Sequence, residues 1–70
     1  MRSFELLDIV ALTADIPEKG LMRGQVGTVV ELLDSKNFEI EFCDNDGHTY
    51  AMESVDSNNI MLLNYHAVAN

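Results

Sequence analysis

Between residues 38 and 43 the chain alternates with period two. Phe38, Ile40 and Phe42 are interleaved with Glu39 and Glu41. A helix would scatter these side chains around its axis, whereas a strand puts the three apolar groups on one face and the two carboxylates on the other. Residues 8–13 are rich in β-formers and predict an earlier strand. Residues 26–33 predict another, with Thr28, Val30 and Leu32 on one face and Val29, Glu31 and Leu33 on the opposite one. Residues 48–53 and 60–63 complete a set of five.

The segments between these strands carry turn chemistry. Pro17 fixes its own φ and pushes Ile16 into an extended conformation. Gly20 permits a positive φ. The stretch around them is too long for a tight hairpin turn and predicts an arched first loop. Gly24 and Gly27 stand before and inside the start of the second strand, where glycine marks a bulge or a close backbone approach. Asp34, Ser35, Lys36 and Asn37 predict a four-residue turn. Asp46 and Gly47 give a strong hairpin signal. Residues 54–59 predict a short 3₁₀ turn. Residues 2–7 fit either a short helix or an extended lead-in, and residues 64–70 fit several conformations.

Five brief antiparallel strands in up-and-down order, with a long first loop and a 3₁₀ turn before the last, predict an all-β fold. The expected architecture is a small SH3-like barrel, partly open, formed by residues 1–70 as a single domain. The expected core is Val10, Leu12, Val26, Thr28, Val30, Leu32, Phe38, Ile40, Phe42, Tyr50, Met52, Ile60 and Leu62.

With 70 residues there is room for one domain, and such a chain buries only about 60% of its unfolded surface. Cys43 is the sole cysteine, so neither an internal disulfide nor a cysteine-based zinc site is available. That usage, with no signal-type leader ahead of the first strand, sets the expectation of a cytoplasmic protein. The apolar runs fall far short of the roughly 18 residues that a membrane span needs, so no membrane partner is expected.

Twelve carboxylates against four Lys and Arg give a formal net charge of −8. That balance repels phosphate backbones and draws basic partners. It also suits a protein that simply stays soluble. Glu31, Glu39, Glu41 and Glu53 fall on consecutive strands and are expected to point away from the core, forming an acidic outer face. Ile16, Leu21 and Met22 of the first loop, with Lys19 and Arg23 beside them, either offer an apolar anchor to a partner or tuck over the end of the barrel.

Taken together, the run Leu7, Asp8, Ile9, Val10, Ala11, Leu12, Thr13, the Pro17 and Gly20 loop, and residues 23–31 resemble a family of small bacterial proteins named only as a domain of unknown function, number four-nine-two-six. Phe38 to Phe42 and the Asp46–Gly47 pair continue the resemblance, which covers roughly residues 5–63. It implies an SH3-like barrel and no established activity, cofactor or catalytic residue. Members that look like one half of a two-gene pair suggest an antitoxin- or immunity-like role. More loosely, residues 24–30 resemble the KOW element of ribosomal and transcription-factor barrels, although the basic and aromatic flanks used on RNA are missing here.

Other chemistry is weakly supported. Asp44, Asp46, Gly47 and Glu53 match part of a calcium-binding EF-hand loop, but the flanks read as strands where helices are required. Cys43 and His48 flank one turn as a nucleophile and base would, with no third residue to orient them. His48 and His66 lack metal-ligand spacing with each other or with Cys43. No catalytic residue, metal or cofactor is therefore expected. The leading expectation is a non-catalytic acidic protein-interaction module that binds a basic protein, with Glu31, Glu39, Glu41 and Glu53 as charge partners and Ile16, Leu21 and Met22 as the apolar anchor. The alternative is a KOW-like nucleic-acid or ribosome accessory protein, which would need Arg2, Lys19, Arg23 and Lys36 to form one basic patch. A homodimer through strand addition or face packing is also compatible with the apolar content.

Overall fold

The structure, a computed structural model, describes residues 4–64. Five strands are present: β1 (Ile9–Leu12), β2 (Val26–Leu32), β3 (Asn37–Cys43), β4 (Thr49–Asp56) and β5 (Ile60–Leu62). Two short 3₁₀ turns, Pro17–Lys19 and Ser57–Asn59, lie in the first loop and between β4 and β5. All pairings are antiparallel, and the sheet has the order β4-β3-β2-β1-β5. β5 returns to β1 and does not pair with β4, so the sheet stays open between those two strands. The fold is all-β, as the alternation predicts.

The inner face follows from β3. Phe38, Ile40 and Phe42 are all buried, and their cross-strand partners share their face. On β2 these partners are Gly27 opposite Phe42 and Val29 opposite Ile40; on β4 they are Ala51 opposite Phe42 and Val55 opposite Phe38. Val10, Leu12 and Ile60 join from β1 and β5. Phe4 closes one end and meets the Phe38 ring edge-on, with centroids 5.5 Å apart. The lead-in is neither helical nor fully extended. Asp8 accepts the backbone N–H of Glu5 at 2.9 Å, and Leu7 turns through a positive φ of 71°.

Two strands have the opposite facing from that expected. On β2, Val29 is buried while Val26 and Leu32 are exposed and Thr28 and Val30 are half-buried. The reason is steric. A Cβ on Gly27 would lie 2.5 Å from Ile40 Cγ2 and 2.8 Å from the Glu41 carbonyl oxygen, so the residue without a side chain occupies the inner position. A bulge between Val29 and Glu31 then shifts the phase, and Leu32 pairs with Phe38 at the frayed end of the face. On β4, Tyr50 and Met52 are exposed where burial was expected. A register shift next to Phe42 leaves Tyr50 unpaired, so Ala51 and Val55 turn inward.

The first loop spans the open side of the sheet. Ile16 and Leu21 hydrogen-bond to each other's backbone at 2.9 and 3.1 Å and are both buried. Between them, Lys19 donates from Nζ to the Ser54 carbonyl of β4 at 2.6 Å, with the Glu53 carboxylate 3.9 Å away. One edge carbonyl of β4 is thus satisfied by a loop side chain. Gly24 takes φ 94° in the turn into β2, where the Gln25 side chain accepts the Met22 N–H at 2.7 Å.

The two glycines should fail differently on substitution. Gly27→Ala should destabilise the fold by about 1–3 kcal/mol, since Ile40 and the β3 backbone must move. Gly24→Ala has open space around it and should cost only about 1 kcal/mol through its left-handed backbone. Urea unfolding of both variants checks this; equal losses would contradict the close-approach account.

Candidate functional site

The outward positions of β2 and β3 bring three of the four expected glutamates together. Glu31 and Glu39 are direct cross-strand partners, and Glu41 is flanked by Thr28 and Met52. Side chains of direct partners stand about 5 Å apart at Cβ, and like charges in that arrangement repel. Among the described residues no Lys or Arg forms an ion pair with Glu31, Glu39 or Glu41. The Glu41 carboxylate is instead held by the Thr49 hydroxyl, which donates to Oε2 at 2.5 Å. Cys43, also exposed, lies beside the same Thr49 with Sγ 3.7 Å from Oγ1.

Glu53 does not belong to this group. It pairs with Ile40, so it stands on the inner face, where the edge position of β4 leaves it half-exposed beside Lys19. The expectation that all four carboxylates share the outer face is corrected by the inverted facing of β4. The first-loop anchor is also divided. Ile16 and Leu21 are part of the core, and Met22 alone is exposed, at 60%.

A different apolar feature was not legible from the loops. On the outer face, Met61 of β5 is in register with Ala11 of β1, which is in register with Val26 of β2. Val26 and Met61 remain 42% and 51% exposed, while Ala11 between them is buried. Their alternation could have disclosed the row had Gly27, rather than Thr28, been taken to set the inner phase.

The turns are organised by aspartates. Asp34 Oδ1 accepts the backbone N–H groups of Lys36 and Asn37 at 2.8 and 2.9 Å, and the Asn37 side-chain amide also donates to this carboxylate. These donors, Lys36 N–H first, hold the Asp34 carboxyl below the ordinary aspartate range. Asp44 plays the same part in the next hairpin, accepting the N–H groups of Asp46 and His48 at 2.9 Å each. Ligand atoms of Asp44, Asp46 and His48 lie within 4.8 Å of one another, all exposed, while Glu53 is not in the group. The hydrogen-bonded turn accounts for Asp44 without an ion. Arg23 and Lys36 stand in the turns before and after β2, whose seven residues separate them by about 20 Å. Arg2 and His66, like the rest of residues 65–70, lie outside the described residues.

A family model described as a domain of unknown function (DUF4926) matches residues 6–62, most of the chain, and the chain belongs to that family. No curated protein and no solved structure matches it.

Asp34 supplies a pH test of how the β2–β3 turn is held. Its folded-state proton affinity is depressed, so its stabilising contribution is fully present above the ordinary aspartate value and disappears as pH falls through the depressed one. Asp34→Ala should therefore lower the melting temperature at neutral pH, and the gap to the parent should shrink on acidification below the ordinary aspartate range. A gap independent of pH would assign the loss to something other than the carboxylate.

Proposed function

We propose that this member of the DUF4926 family is a non-catalytic interaction module whose acidic outer face binds a basic protein. The observation that carries this reading is the Glu31–Glu39 pair, two carboxylates in direct register with no cation paired to them among the described residues. The pair costs stability in the free protein, and a bound Lys or Arg would relieve the repulsion. Glu41, one step along β3, extends the negative surface. The net charge of −8 adds a long-range attraction that speeds the encounter with a cationic partner and weakens as salt rises. An antitoxin- or immunity-like role in which the basic partner is neutralised is one form of this activity, in a cytoplasmic setting.

Stability and binding should move in opposite directions at this pair. Glu31→Lys replaces a repulsive cross-strand contact with an attractive one and should raise unfolding stability by roughly 0.2–1 kcal/mol. The same change should weaken capture of a basic probe, polylysine on a solid support, measured by retention of the protein at low ionic strength. Undiminished capture by Glu31→Lys combined with Glu39→Lys would remove the acidic face from the account.

A further inference from the structure

We infer that the outer face is a two-part docking surface for an amphipathic basic helix of a partner protein. Met61 and Val26, which flank the buried Ala11, receive an apolar side chain, and the Glu31–Glu39 pair receives a Lys or Arg from the same helix. This inference rests on the proposed acidic interaction surface and adds to it a second contact, a spacing and a shape for the partner.

Three observations carry it. The first is that the two parts lie on one continuous face. Val26 and Glu31 both belong to β2, and the intervening surface is formed by Thr28, Ile9 and Glu41 in register with one another. The second is charge. The apolar row adjoins a face whose ionisable side chains, Glu31, Glu39 and Glu41, are all anionic. A cationic occupant complements it, and a second copy of this acidic chain would add to the repulsion. The third is the state of the edges. β4 carries a bulge at Tyr50, and its Ser54 carbonyl already accepts Lys19, while β5 has only three residues. Edges shortened and blocked in this way disfavour an added strand, so the face, with its backbone already paired, takes a helix that contributes side chains.

The geometry sets the partner's spacing. Val26 and Glu31 are five residues apart, but the bulge at Val30 leaves four ladder steps between them, about 13 Å at strand rise. On a helix the same-side spacing nearest that distance is eight residues, about 12 Å. The partner segment therefore carries a Leu-type residue and an Arg or Lys about eight positions apart.

The test uses the full chain and three synthetic alanine-rich helical peptides. One carries Leu and paired Arg at this spacing, one has the Leu replaced by Ala, and one keeps the composition but halves the spacing. Fluorescence anisotropy should show the first binding about tenfold more tightly than the other two, the size of effect that loss of one apolar contact produces. Val26→Ser with Met61→Ser should abolish that preference while leaving the weak binding of the Leu-free peptide unchanged. Both side chains are exposed, and a thermal melt verifies that the variant folds. Equal binding of all three peptides would overturn the two-part surface and leave the acidic reading standing. Absence of binding by any Arg-bearing peptide at low salt would instead defeat the acidic reading itself. Sedimentation of the parent as a dimer, with the double variant monomeric, would assign the apolar row to a second copy and overturn the proposal.

Discussion

The close approach of β2 to β3 at Gly27 is the constraint on which the rest depends. Ile40 Cγ2, the Glu41 carbonyl and the Phe42 ring occupy the space that any side chain at this position would need. Placing the bare residue inward puts Val29 inward as well and sends Val26 and Thr28 outward. The same choice aligns Val10 of β1 with Gly27 and thereby turns Ala11 to the outer face, where it is buried between the exposed Val26 and Met61. One absent Cβ thus decides which side chains of two strands make the core and which make the exposed row.

The acidic surface is a consequence of how few strands the fold has. A sheet of five strands with a single buried face leaves every second position facing water. With so many carboxylates and so few cations, the charged residues at the outward positions of β2 and β3 are all acidic. Lys19, one of the few bases, is committed to the backbone of β4 and to Glu53, where it closes the first loop over the open side of the sheet. Its role is structural, and the glutamates of β2 and β3 receive no neutralisation from it.

Much of this architecture could be read from the residues. The alternation of Phe38, Ile40 and Phe42 fixed the inner face of β3, Asp46–Gly47 and the Pro17–Gly20 stretch located the turns, and Gly27 marked the close backbone approach. What could not be read was phase. Strand β2 contains apolar residues on both parities, Val26, Val29, Val30 and Leu32, so composition favours neither face until the packing at Gly27 is known. The bulges at Val30 and Tyr50 arise from register with a partner strand and leave no mark on the local pattern. For the candidate site, Glu31, Glu39 and Glu41 were found from β3 and its neighbour. Glu53 was misplaced because the phase of β4 depends on its bulge. Ile16 and Leu21 carry no periodic signal, and only the backbone pairing between them turns both inward.

The return of β5 to β1 has a consequence for how the chain assembles during translation. β2, β3 and β4 form a meander of adjacent hairpins, each able to pair as soon as its neighbour has been made. β1, made first, finds β2 across the long loop, but its other edge stays unpaired until β5, the last of the described strands, is available. Val10 and Leu12, among the most deeply buried residues of the finished protein, therefore lie beside an unfilled edge for most of the time the polypeptide is being synthesised.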